Sequence, residues 1–298
     1  MKLTQSMEIT KKELGEKSPW STLGISLVLF LFVPIMAPLI LFPIVSSFDP
    51  SLTFMDLFEK EPFRTNVNLF SFPFVLLVFL LIHKIKYKKS FESLGFVAKD
   101  KWKKYGTGLL LGFGGLLVVY GINFLFGSVT VHTSANFNLL AFLLILVGFL
   151  IQGMTEEVLM RSFIMNAFSS KKGVVWGILV NSLFFSVFHL MNPGVTVLSI
   201  VNIFIFGLIF SLLFYWSDNI WLTGAAHSAW NFTMGPIMGI QVSGQTFQST
   251  LFETASISSK HLINGGAFGL EGGLVTTVCG IVLCLVLWKL CQKKGLID

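Results

Sequence analysis

Hydrophobic positions in this chain fall in blocks rather than stripes. Eight stretches, about 22–48, 68–83, 106–128, 138–168, 174–190, 195–216, 220–240 and 273–291, are apolar on every face, where an amphipathic helix or a half-buried strand would alternate. A helix needs about 20 residues to cross the roughly 30 Å hydrocarbon layer, so each block is a predicted span, the second short and the seventh weakly apolar. Between the last two, Gln241 to Gly272 reads as structureless. No repeat and no second soluble domain interrupts the pattern. The expectation is one transmembrane domain over 1–298, an all-α polytopic membrane helical bundle with about eight transmembrane helices, its polar motifs gathered in 138–235.

Composition agrees with that pattern. The chain is 54% hydrophobic and 12% charged, against about 25% charged in ordinary soluble domains. The first block is too long for a signal-peptide core and has no small-residue cleavage site, so it reads as a retained span. Cys279, Cys284 and Cys291 share the last span at spacings that match no zinc motif, and read as apolar filler.

Charge placement fixes an orientation. With the N-terminus inside, the inner segments hold Lys2, Lys11, Lys12 and Lys17, eight lysines between Lys84 and Lys104, Lys171 and Lys172, and Lys289, Lys293 and Lys294. Of the 21 basic residues, Lys60, Arg64, Lys260 and the in-span Arg161 alone fall elsewhere. The positive-inside rule then gives an N-in, C-in protein with an even number of spans. The net charge of +6 follows topology and does not mark a nucleic-acid partner. The lysines flanking "SFESLGF" read as a solvated inner loop, and His83, His132 and His261 as solvent-facing.

Against this background the polar residues inside spans stand out. The fourth span contains "GMTEEVLMRSF", with Glu156, Glu157 and Arg161. A mid-span charge costs about 2.5–3.5 kcal/mol on insertion scales, so such groups face protein or water. Glu157 and Arg161 are four apart and can pair on one helix face. Glu156 is turned about 100° away and needs another partner.

"FSVFH" ends the fifth span with Phe185 and His189. Glu156 and His189 lie 15 and 17 residues from the Lys171–Lys172 turn, which puts both roughly 22–26 Å from it. The seventh span reads "GAAHSAWN": His227 and Asn231 share a face, beside the small residues Gly224, Ala225 and Ala226 that allow close helix approach. His227 sits shallower, about 12–14 Å past Asp218. Either the 138–168 helix projects two turns beyond the membrane or the seventh span starts deeper. Asn123, Asn181 and Asn202 are candidates for hydrogen bonds between helices.

A glutamate tuned by burial and a nearby cation is suited to activating water, and His189 could share the proton work. His227 and Asn231 can donate to a developing oxyanion. Glu156, His189 and His227 are also a plausible catalytic zinc shell, although the compact H-E-x-x-H spacing is absent.

The combination E-E-x-x-x-R, F-x-x-x-H and H-x-x-x-N on successive spans resembles the CPBP family of intramembrane proteases (CAAX proteases and bacteriocin-processing enzymes, also called Abi). The likeness covers about residues 140–235, and "SLGF" and "EGGLVTT" add weaker signs. It implies an endopeptidase acting on a membrane-embedded or lipidated peptide or protein, in CAAX-type processing, peptide maturation or bacteriocin immunity. It further implies Glu156 as the water-activating residue assisted by His189, His227 and Asn231 as the oxyanion site, and Glu157, Arg161 and Phe185 in support. A metal-independent mechanism is expected, with zinc as the alternative. The expected location is a bacterial cell membrane. Two other classes fit the same residues: a non-catalytic immunity or regulatory scaffold, and an ion-coupled transporter, which should show inverted repeats or broken helices.

Overall fold

The structure, a computed structural model, describes residues 1–60, 63–135 and 137–297. Helix α1 (Gln5–Leu14) lies ahead of the first long helix, α2 (Trp20–Phe48). After the short α3 (Asp56–Glu59) come α4 (Phe63–Leu81), prolonged by a π-helical turn to Lys86, and α5 (Lys101–Leu125). Strand β1 (Val129–Thr133) leads into α6 (Leu139–Glu157), which widens into π turns over Val158–Met165 and runs on as α7 (Asn166–Lys172). Next are α8 (Val174–Phe188), α9 (Val197–Ser217) and α10 (Ile220–Phe232), the last extended by a π turn to Ile237. Strand β2 (Phe252–Ser256), α11 (His261–Asn264) and α12 (Leu274–Lys293) complete the chain.

Every predicted span is a helix. Six are long and apolar enough to cross a membrane: Trp20–Phe48, Phe63–Lys86, Lys101–Leu125, Leu139–Lys172, Val197–Ser217 and Leu274–Lys293. The other two, α8 and α10, are shorter, with 15 and 13 residues. Helix α10 packs against α5, α6 and α9, and nearly all of its residues are buried. A helix surrounded by protein needs no lipid-facing side, which explains its weak hydropathy. Helix α2 is the opposite case. It keeps Leu27, Phe32, Ile35 and Ile40 exposed, as a surface bathed in lipid tails does. It also holds Pro34, Pro38 and Pro43 inside the helix, which membrane helices tolerate.

The two ends of the chain meet. The Lys2 amide donates to the Leu296 carbonyl at 2.9 Å, and the Tyr215 hydroxyl donates to the carbonyls of both Lys2 and Leu296. Ends on the same face require an even number of crossings.

Close approach of α5 to α10 depends on glycine. A Cβ at Gly108 or Gly112 would fall on the backbone carbonyls of Leu222 or Ala226, so the small residues on α10 are matched by glycines on its neighbour. Of the asparagines, Asn181 donates to Ser211 of α9, and Asn202 donates to the carbonyls of Glu271 and Gly273. Asn123 instead serves its own segment, bonding Val119 and Ser128.

Two expectations are overturned. The 241–272 segment is not structureless: β2 pairs antiparallel with β1, Val129 opposite Ser256, and several short helical turns follow. Nor is His83 solvent-facing. It is buried at 2% exposure between Phe79, Phe91 and Phe163, and its Nε2 bonds the Ser90 carbonyl at 2.9 Å. The loop after α4 folds back over that histidine, with Ser90 and Phe91 against its ring.

Candidate active site

The three polar motifs converge on one cavity of about 440 Å³. Glu156, Gln152 and Met160 reach it from α6 and its π turns, and Phe185 and His189 from the end of α8. Phe206 and Phe210 come from α9, His227, Trp230 and Asn231 from α10. The remaining wall is Leu27, Phe30, Leu31 and Pro34 of α2, residues of α4, and Ser243, Gln245 and Glu271 of the segment before α12. All four residues expected in the chemistry therefore line a single space.

Beside this cavity lies a buried charged layer. Arg161 is fully buried and its Nη1 is 2.9 Å from Oε1 of Glu157, itself fully buried. The guanidinium lies against two rings, its carbon 4.5 Å from the Phe185 ring centre and 5.4 Å from that of Phe210. A cation held on aromatic faces and paired with a carboxylate loses less on leaving water than a bare one. Phe185 thus acquires a physical role: it supports the arginine. The same Glu157 Oε1 lies 2.8 Å from Nδ1 of His227, whose ring stacks on Phe210 at 4.8 Å and 17°.

Glu156 sits differently. Gln152, one turn earlier, donates to its Oε1 at 2.6 Å, and Asn231 donates in turn to the Gln152 oxygen at 3.0 Å. Its Oε2 has no hydrogen-bond partner and lies 3.7 Å from Nε2 of His227. His189 is oriented by its own helix end, Nδ1 bonding the Phe185 carbonyl at 2.8 Å. With the proton on Nδ1, its Nε2 is left as an acceptor.

The level of His227 relative to Glu156 follows from contacts at the end of the bundle that carries both termini. The Ser6 hydroxyl donates to Asp218 and accepts from the Asn166 amide, so Asn166 and Asp218 are level. Glu157 and His227 each lie nine residues beyond that level, about 13–14 Å. The helix containing Glu156 continues past the Asp218 level to Lys172, where α1 packs on it. The imidazole nearest Glu156 is accordingly that of His227, and no hydrogen bond joins Glu156 to His189 among the described residues.

Two wall residues were not singled out from the sequence. Gln152 bridges Glu156 and Asn231; its signal was a polar side chain four residues before Glu156 in an apolar span. Glu271 is 4% exposed and accepts from Trp230 Nε1 at 3.0 Å and from the Ser243 amide and hydroxyl at 3.0 and 2.6 Å. Burial pushes its carboxyl above the usual range, against the pull of those hydrogen bonds. In the sequence only the acid among glycines in "GLEGG" marked it.

Among the described residues no group of three or more His, Cys, Asp or Glu is gathered at metal-binding spacing. Each histidine engages Nδ1 with a carbonyl or carboxylate oxygen, which leaves Nε2 available for a hydrogen bond or for a metal alike.

With this geometry in place, comparison with known proteins bears on the motifs. Residues 138–233 match the family model of the type II CAAX prenyl endopeptidases, Rce1-like, a stretch that contains all seven motif residues. The match falls on the same segment where the three motifs resemble the CPBP proteases. No curated protein and no solved structure matches the chain.

Proposed function

We propose that this integral membrane protein hydrolyses a peptide bond in a membrane-embedded or lipidated peptide or protein, with Glu156 as the general base. The observation that carries the reading is the contrast between adjacent carboxylates. Glu156 lines a cavity of about 440 Å³ with its Oε2 unpartnered, while Glu157, whose Oε1 pairs with Arg161 and His227, lies outside that lining.

A water between Glu156 and the scissile carbonyl gives its proton to Oε2 as its oxygen bonds the carbonyl carbon. The carbonyl π electrons move to oxygen, and the resulting oxyanion needs donors. Asn231 has a second amide hydrogen besides the one held by Gln152. His227, with Glu157 accepting from Nδ1, donates from Nε2 when doubly protonated. Collapse of the intermediate breaks the C–N bond, and the proton taken by Glu156 passes to the leaving amine, directly or through His189. Every proton is accounted for without a metal, and the mechanism is read as metal-independent. The apolar walls from α2 and α8, with Leu31, Val187 and Met191 also exposed outward, suit a substrate arriving from the bilayer.

The test is mass spectrometry of membrane-associated peptides from cells carrying wild-type protein or the Glu156→Gln variant. The expected result is a set of cleaved termini present only with wild type, and absent also with His189→Ala. Identical peptide sets would refute the endopeptidase reading, and phenotype rescue by Glu156→Gln would favour the scaffold.

A further inference from the structure

The two faces of the bundle differ in charge and in access to the cavity. One face carries both termini, the 87–100 segment and the turns at Gly173 and Asp218, bound together by Ser6, Asp218, Asn166 and Tyr215. The lysine clusters lie there. The other face carries the β1–β2 ribbon and the 189–196 and 238–273 segments, with only Lys60, Arg64 and Lys260 as basic residues near it.

Of the two faces, the cavity opens towards the second. Its rim is Asn192, Ser243 and Gln245, with Thr65 and Asn68 from the first turns of α4, all at that end. Towards the lysine face, Glu156 is followed first by the Glu157–Arg161 layer. Beyond it Met165, Phe168, Leu94, Phe214, Tyr215 and Met7 form a floor, each at most 2% exposed. The segment "SLGF" seals it from the side: Ser162 donates to the Leu94 carbonyl at 2.6 Å, and the Ile220 amide donates to the Gly95 carbonyl at 3.0 Å. Helix α1 then covers α7 and this segment. These buried residues separate Glu156 from the lysine face.

Lysine-rich segments stay on the cytoplasmic side. We therefore propose that the cavity opens to the extracytoplasmic face, and that its substrate is a peptide segment presented there rather than a cytoplasmic C-terminus. The statement about substrate rests on the endopeptidase reading; the sidedness of the cavity does not.

Cysteine accessibility in intact cells tests this. Gln245→Cys places a thiol on the rim, Thr246→Cys one residue further on at an exposed position, and Lys103→Cys on the lysine face. Wild type, whose three cysteines all lie on α12, supplies the blank. A charged, membrane-impermeant maleimide should label Gln245→Cys and Thr246→Cys in intact cells at least tenfold above the blank, and Lys103→Cys only after permeabilisation. Labelling of Lys103→Cys in intact cells with protection of both rim variants would overturn the proposal. Labelling of Thr246→Cys without Gln245→Cys would also overturn it, since the mouth would then be closed. The same labelling in a Glu156→Gln background separates the two claims: it reports sidedness whether or not the chain cleaves anything, whereas unchanged peptide sets sink the endopeptidase reading alone.

Discussion

Glu157 and Arg161 pair behind the cavity wall, whereas Glu156, one residue earlier, lines the cavity itself. Both carboxylates are nine-tenths buried or more, so burial does not separate them. What separates them is the partner. Glu157 faces a formal cation held against two phenylalanine rings; Glu156 faces an amide and the edge of an imidazole. The first arrangement resists change, since removing one member strands a charge. The second stands at the cavity, where a proton acceptor can meet water and substrate.

Breaking the buried pair should have the largest effect on the fold. Arg161→Met leaves Glu157 buried without its cation, and loss of one partner of a buried pair costs about 3–5 kcal/mol. Thermal unfolding in detergent should show a much lower midpoint than wild type; an unchanged midpoint would mean that Glu157 takes a proton and needs no arginine. On the open wall, Asn231→Ala should leave the midpoint near that of wild type. It should lower peptide cleavage about 10²–10³-fold, the usual loss for one oxyanion donor. A loss of folding instead of activity would move Asn231 to the structural side of the comparison.

Gln152→Leu sharpens the comparison, because it removes the only hydrogen bond to Glu156 among the described residues. Cleavage should fall about tenfold or more, as loss of a hydrogen bond to a charged group worth about 1.5–3 kcal/mol implies, with a shifted pH profile. An unchanged profile would exclude Gln152 as a positioning residue.

The smallest effect concerns Glu271. Its folded pKa is raised by burial, so between the ordinary carboxylate value of about 4.3 and that raised value the folded state binds more proton than the unfolded chain. Its contribution to stability therefore improves as pH falls through that window and levels off below it. The midpoint of wild type minus that of Glu271→Gln should rise on acidification from neutral pH; a flat difference would contradict the assignment.

Much of this was legible in the chain because membrane segments announce themselves. The eight blocks became helices, and the motif residues met because each charge in an apolar run has few places to go. The parts that escaped depend on tertiary packing. Helix arithmetic left His227 two turns from Glu156, because nothing local shows that α7 passes the Asp218 level to be covered by α1. His83 looked like a span-end residue until the loop after α4 folded over it. Glu271 lies in a segment without periodicity, so its meeting with Trp230 and Ser243 could not be read from spacing. Gln152 was visible, but a lone amide carries less signal than a charge.

The central claim is the division of labour between adjacent glutamates, and one measurement addresses it: cleavage rate and unfolding midpoint of Glu156→Gln and Glu157→Gln, purified side by side in lipid nanodiscs. The account predicts that Glu156→Gln keeps a midpoint close to wild type and loses about 10²–10⁴-fold in rate, the range for a general base. Glu157→Gln should unfold markedly earlier, because Arg161 is left buried without its counter-charge. Equal rate losses with equal midpoints, or activity surviving in Glu156→Gln, would contradict it.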